Sequence, residues 1–434
     1  MRIDRLELRN FRCYEDAFFD WHPNFNLIVG KNATGKTALL DGLAIAMGAW
    51  LLGIRGYDSR HFRDDDIRRV AVDTPAGFTF PPRTPVKVSA SGIVLDQEIS
   101  WHRELRGAKG RTTTAGAKGV RLLAEEAVKP NVQSTLPVIS YYGTGRLWLE
   151  PRQKQRVKSP TSITARAKLD PLEAYRNSVD PRLSSKQLIE WIARQAWMAY
   201  QQGRSNSVFD VVLEAVKASI EGGRHLYFDP SYGEIILEVE GSGRHPFSQL
   251  SDGQRCMLAL VGDIAQKAVR LNAHLGNDVL RRTTGIVLID ELEMHLHPTW
   301  QQTVAGSLKR VFPNIQFFCT THSPQIIRQT PKEQIRILNG DGTYRIPSFS
   351  FGLSSDETLE TVQGARPRDA HILRLEREFH NLLDEFDIEG AQAKLDEVAQ
   401  VLGHPHPVLS RWETDIGNAK ALIESSLEVE EDED

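Results

Sequence analysis

At 434 residues the chain is too long for one ordinary hydrophobic core, which points to two or three packed units. Its 40% hydrophobic and 25% charged residues are the composition of a folded globular protein, and a net charge of −4 argues neither for nor against a nucleic-acid partner. No apolar run reaches the roughly 20 residues needed to cross a bilayer, and the opening MRIDRLELRNF alternates like a strand where a secretory signal would be continuously apolar. Three widely spaced cysteines, Cys13, Cys256 and Cys319, form no CxxC pair, which argues against a disulfide framework or a zinc site. A reducing cytoplasm is the expected compartment.

Residues 1 to 30 read as strand, turn, strand, ending in the buried run Phe25-Asn26-Leu27-Ile28-Val29. Gly30-Lys31-Asn32-Ala33-Thr34-Gly35-Lys36-Thr37 follows and fits G-x-x-x-x-G-K-[ST], between an apolar strand and a helix expected over 38–52. Such a loop curls so that backbone N–H groups face phosphate oxygens, and the helix adds its positive end. Lys36 would bring charge to the β and γ phosphates of ATP, and the Thr37 hydroxyl would ligate Mg²⁺. The stretch 67–104 has interrupted β character, 105–120 reads as loop, and Val138-Ile139-Ser140-Tyr141-Tyr142 is a further buried strand.

From Arg146 to Lys168 seven basic residues face one acid, Glu150, in a setting rich in Pro, Ser and Thr. That is either a surface loop or a phosphate-binding strip. Helices are expected over 184–202 and 207–221, then a hairpin around Tyr232-Gly233. Leu250-Ser251-Asp252-Gly253-Gln254-Arg255 opens a helix over 256–271, and by itself is what any capped helix start would show. Ile286 to Ile289 is a strand ending in Asp290-Glu291, neighbouring carboxylates that can take separate tasks: Asp290 for Mg²⁺, Glu291 for orienting and deprotonating water. The strand Ile315 to Cys319 leads into Thr320-Thr321-His322-Ser323-Pro324, where a histidine at a strand end can sense a γ-phosphate. Alternating strands and helices imply a parallel sheet covered on both faces.

The tail changes character. Ile372, Leu375, Phe379, Leu382 and Phe386 repeat at helical spacing, as do Ala391, Leu395, Val398 and Leu402 before Gly403, and Leu409, Trp412, Ile416, Ala419 and Ile423. Three helices are expected, packed on their own chain or docking a partner. The acidic end, Glu428 to Asp434, reads as a solvating tail.

The order P-loop, LS-x-GQ, apolar strand with Asp-Glu, then Thr-His-Ser-Pro resembles the RecF/SMC/Rad50 branch of ABC ATPases, and Asn10-Phe11-Arg12 is similar to that branch's opening turn. The specific likeness covers about 1–60, 138–148 and 236–330. It implies an α/β fold: an ABC-type P-loop NTPase head with a mixed, largely parallel sheet, a helical insert and a C-terminal helical appendage. The implied division is 1–150 and 236–340 as the two ATPase lobes, 151–235 as basic loop and insert, and 341–434 as appendage. The resemblance further implies ATP hydrolysis with Mg²⁺, and a homodimer in which Ser251 and Gly253 of one copy complete the P-loop site of the other. Lys36, Glu291 and His322 would be catalytic. Gly30 to Thr37 and Arg12 would hold nucleotide, and Thr37 and Asp290 the metal.

The loop Glu293-Met294-His295-Leu296-His297-Pro298 falls where the branch crosses its dimer, although two histidines also suit a metal. No long heptad arm separates P-loop from signature, and the Q-loop glutamine is left between Gln97 and Gln133, with Tyr141 to Arg146 as an alternative. Compactness, Tyr-Tyr-Gly-x-Gly-Arg-Leu-Trp and the short helical tail are most similar to the PtuA family of Septu and retron anti-phage ATPases, which implies an HNH nuclease partner of the PtuB kind. A RecF-like DNA-binding ATPase of repair or recombination is the alternative, and DNA or RNA remains an open partner class.

Overall fold

The computed structural model describes residues 1–75, 77–130, 132–146, 170–182, 185–202, 207–229, 231–365, 370–403 and 405–431. The basic stretch beyond Arg146 and the last three acidic residues lie outside the described residues. The chain forms two compact units, Met1–Thr358 and Leu359–Asp434.

In the first unit β1 (Arg2–Phe11) and β2 (Tyr14–Asp20) form a hairpin, then β3 (Phe25–Val29) leads through the P-loop into α1 (Lys36–Met47). The expected helix over 38–52 is α1 followed by a separate 3₁₀ turn, Trp50–Gly53. The window Lys36–Gly53 is apolar enough to match a membrane span by composition, but 78% of it is buried inside the protein, as in a core helix. A small hairpin, β4 (Val72–Thr74) and β5 (Gly77–Thr79), precedes the long strands β6 (Val86–Val94) and β7 (Gln97–Leu105). After them come α2 (Lys118–Ala127), β8 (Val138–Tyr142), α3 (Ser185–Gln202), α4 (Ser207–Ser219), and the three-stranded β9 (Gly223–Asp229), β10 (Glu234–Val239) and β11 (Gly243–Pro246). The nucleotide-fold half then resumes with α5 (Asp252–Leu271), α6 (Val279–Arg282), β12 (Gly285–Ile289), α7 (Pro298–Val311), β13 (Ile315–Thr320), α8 (Pro324–Ile327), β14 (Ile335–Leu338), β15 (Tyr344–Arg345) and α9 (Ser355–Thr361).

Two sheets organise this unit. The antiparallel one has the order β2-β1-β6-β7, and its strand β6 alternates buried and half-buried residues, as expected of a sheet with one face on the core. The other is mixed, in the order β15-β14-β3-β13-β12-β8, with only the β14–β15 edge antiparallel. Every residue of β3, β8, β12, β13 and β14 is buried, as a parallel sheet covered on both faces requires. Buried Gln316 joins the sheets: its side-chain oxygen accepts from Ile3 N–H at 2.8 Å and its amide donates to Ile3 C=O at 2.7 Å. It serves the backbone of β1 as a neighbouring strand would.

Three elements depart from expectation. Helix α2 occupies residues read as loop or left unassigned. Its buried Val120, Ala124 and Ala127 do repeat at four and three, but the preceding Gly- and Thr-rich run hides a helix of only ten residues. Strand β14 lies outside the expected elements because four residues, three apolar and one arginine, are too few to give a period to read. The strand β15 and the turns after it pair with the first unit, so the second begins at Leu359 and not at 341.

The second unit holds α10 (Ala370–Asp384), α11 (Ile388–Leu402) and α12 (Pro407–Glu431). Their apolar stripes cover one another: Leu375 and Phe379, Ala391, Leu395 and Val398, and Leu409, Trp412 and Ile416 form one core. The rings of Phe379 and Trp412 stack at 4.2 Å, and Gly403 ends α11 at φ 74°. Trp412→Ala is expected to destabilise this unit by about 3–5 kcal/mol, as aromatic truncation in a core does. Limited proteolysis of the full chain checks it, with early cleavage confined to residues 359–434.

Candidate active site

The parallel strands end along one edge of the sheet, and the P-loop, Asp290, the Thr320 segment and Gly143 all follow those ends. The loop after β3 takes left-handed backbone at Ala33 (φ 65°) and Gly35 (φ 96°), not at Gly30. Gly35 also lacks room: a Cβ there would sit 2.6 Å from the Tyr14 hydroxyl oxygen and 2.7 Å from Cys13 Sγ. Tyr14 donates to Gly35 C=O at 3.1 Å, so the start of β2 braces the loop. Thr34 closes it by donating to Lys31 C=O at 2.9 Å. Half-buried Lys36 donates to the carbonyls of Gly30 (2.9 Å) and Lys31 (3.0 Å). Burial lowers its pKa below the usual lysine value, while Asp290, Glu291 and Glu293 favour its charged form. Lys31 and Asn32 are exposed on the loop, and Thr37 is exposed in the first turn of α1.

The structure brings the two halves of the site together across 253 positions of sequence: Thr37 donates to Asp290 Oδ2 at 3.1 Å. Thr320 donates to Asp290 Oδ1 at 2.5 Å and accepts the Glu291 N–H at 2.7 Å. Thr37 and Asp290 thus present hard oxygen donors side by side, a set that fits Mg²⁺ sharing its remaining shell with phosphate and water. Among the described residues no group of three or more His, Cys, Asp or Glu could hold a metal unaided, and His295 and His297 form no such group. Glu291 is exposed and adopts φ 49°, a left-handed conformation unusual for a residue with a side chain.

His322 is exposed beyond β13, and its backbone is fixed by Glu293, in the loop after the acidic pair. The Glu293 carboxylate accepts from His322 N–H at 2.6 Å and from the Thr321 hydroxyl at 2.7 Å. Gln301 adds a second tie, donating to Leu296 C=O at 2.8 Å and accepting from the Ser323 hydroxyl at 2.6 Å. A further carboxylate two residues past the Asp-Glu pair is the sequence signal for this role. Arg146, the first of the seven basic residues, is 1% exposed and donates to Asp290 C=O at 2.7 Å and Glu291 C=O at 2.9 Å.

Ser251 caps α5 by accepting from Gln254 N–H at 3.3 Å, with Gln254 reaching back to the Ser251 N–H at 3.0 Å. Gly253 is buried against the loop after Glu291, where a Cβ would lie 2.7 Å from His295 C=O. The signature therefore meets the 291–297 segment of its own chain, with the Ser251 end exposed. Arg12 is held by carboxylates: its guanidinium lies 2.7 Å from Asp41 on α1, 3.0 Å from Asp66 and 3.7 Å from Asp65. Gln97 and Gln133 are exposed, and among the described residues neither is hydrogen-bonded to Lys36, Thr37 or Asp290.

Residues 129–328 match the family model "AAA domain, putative AbiEii toxin, Type IV TA system", and residues 5–204 match "AAA domain". A probable ATPase of retron Ec83 from Escherichia coli is 39% identical over 444 residues, covering 88% of this chain and 80% of that protein. The chain belongs to the retron ATPase family. This retron-type ATPase is also similar to a Septu protein PtuA from Bacillus mycoides, 32% identical over 344 residues, or 77% of this chain and 40% of that one. With the probable ATPase of retron Vc95 from Vibrio cholerae it shares 40% identity over 181 residues, 40% of this chain and 35% of the other. It spans most of the first relative and less than half of the other two. Among solved structures, an SMC head bound to the C-winged helix domain of ScpA aligns with 81% of this chain and 98% of its own at 19% identity and a TM-score of 0.48.

Glu293→Ala is expected to lower turnover by roughly 10–100-fold, because freeing the His322 backbone costs alignment. Glu293→Gln, which keeps one acceptor, is expected to fall less. Steady-state ATPase assays on the three proteins check the order, and equal rates would separate Glu293 from the site.

Proposed function

We propose that this chain is the ATPase of a retron- or Septu-type anti-phage system, working in the cytoplasm as a homodimer closed around ATP and controlling an HNH nuclease. The observation that carries the reading is the joining of Thr37 to Asp290, in a chain 39% identical to a retron ATPase over most of both lengths. The P-loop N–H groups from Gly30 to Thr37 cradle the phosphates, and Lys36 leaves its two loop carbonyls for the β and γ oxygens. Thr37 and Asp290 hold Mg²⁺, which neutralises phosphate charge when bound. Glu291, exposed at the end of β12, orients water and takes its proton, and His322 contacts the γ-phosphate. Arg12, already matched by three carboxylates, supports α1 beside the nucleotide and would have to leave Asp41 to touch it.

The exposed cap at Ser251 supports the dimer reading. An N-terminal helix end with Gly253 behind it offers N–H groups to a phosphate, and Gly253 packs on the 291–297 segment while Ser251 stays exposed. A second copy supplies the phosphate. The RecF-like alternative rests on less, since the similarity to RecF from Lactococcus lactis covers 10% of this chain.

Glu291→Gln is expected to keep ATP binding and lose two or more decades of hydrolysis, because a positioned base supplies roughly 10²–10⁴-fold. Lys36→Ala is expected to weaken nucleotide binding itself. Ser251→Arg is expected to bind ATP as a monomer, read by light scattering with and without nucleotide. Co-expression with a neighbouring HNH-nuclease gene tests the partner: failure to co-purify in any nucleotide state sinks that part.

A further inference from the structure

The turn carrying Glu291 is held from both sides. Its N–H is given to Thr320 Oγ1 at 2.7 Å, and its carbonyl accepts from Arg146 Nη2 at 2.9 Å. Arg146 Nη1 meanwhile donates to Asp290 C=O at 2.7 Å and to Gly143 C=O at 3.2 Å. Nε points to Cys256 Sγ at 3.4 Å, in the first turns of the signature helix α5. One buried guanidinium therefore spans the end of β8, the two peptides bearing the acidic pair, and α5. A planar fork with five donors can do this, and a lysine ammonium at the end of a flexible stem cannot reach the same set.

The link matters because of the backbone it holds. Glu291 sits at φ 49° without being glycine, a conformation that persists only where its surroundings impose it. Arg146 and Thr320 are part of those surroundings, beside the Met294 N–H that donates to Glu291 C=O at 3.0 Å and the Leu292 N–H that donates to Thr320 C=O at 2.9 Å. A second tie keeps α5 in register with β8: Tyr142 donates to Asp263 at 2.6 Å, and Lys267 pairs with Asp263 at 2.8 Å and donates to Ser140 at 3.0 Å. The backbone N–H of Asp290 in turn donates to Tyr142 C=O at 2.8 Å. The signature helix is thereby linked, through Arg146, Tyr142 and Lys267, to the strand ends that carry the acidic pair.

We infer that Arg146 is a positioning residue for Glu291, fixing the left-handed turn that aims its carboxylate and keying that turn to the signature helix. This rests on the reading of Glu291 as the base, which Glu291→Gln decides without reference to Arg146.

The test is a double-mutant cycle on the full chain. Arg146→Lys is expected to lower kcat by about tenfold or more with ATP affinity within about threefold of wild type, the split that marks loss of positioning. In the Glu291→Gln background the same change is expected to alter residual turnover by less than about twofold, because residues acting as a unit are not additive. Arg146→Gln is run beside it, so that either folded chain decides the matter. Equal losses in both backgrounds, equal losses in kcat and affinity, unchanged turnover, or failure of both variants to fold each overturn the proposal. Normal turnover of Glu291→Gln alone removes its premise as well as the proposed mechanism.

Discussion

The common carboxyl edge of β3, β13, β12 and β8 is the constraint on which the site depends. Parallel pairing in continuous register sets Ile289 beside both Cys319 and Tyr142, and Thr320 beside Ile28. The residues that follow those ends have no freedom to land elsewhere, so loops from positions near 30, 143, 290 and 321 converge. Sheets of this kind place ligands beyond the carboxyl ends of their strands because the loops and helix starts gather there. Burial on both faces holds the register, since a shifted β12 would leave its neighbours' apolar side chains unmatched.

On that edge the chemistry is arranged by hydrogen bonds to backbone more than by contacts between charged side chains. Thr320 joins Asp290 to Glu291, Glu293 holds the His322 peptide, and Tyr14 braces Gly35. Lys36, by contrast, rests on two neutral carbonyls, those of Gly30 and Lys31.

The second unit follows different rules. Its stripes are satisfied inside a three-helix core closed by Phe379 on Trp412, so they do not by themselves demand an outside partner. Exposed Phe386, Val401 and Leu422 are single residues outside that core, of the kind that ordinary surfaces carry.

The sequence by itself determined the P-loop, the acidic strand end, the capped signature helix and the helical periods of the tail. Each is local: a glycine pattern, a five-residue apolar run, a capping box or a spacing of three and four leaves its mark within a dozen residues. It also carried the order of motifs, and with that the likeness to ABC-type heads. Only the tertiary structure decided that Thr37 touches Asp290, that Glu293 and not a neighbour holds His322, and that Arg146 is buried under the acidic turn. It also decided that Arg12 pairs with Asp41 and that the short β14 extends the sheet. These are contacts between segments tens to hundreds of residues apart, made by side chains whose type gives no period. An arginine after Gly-Thr-Gly looks like any surface cation until a fold closes over it, and no local pattern encodes which carbonyls it will meet.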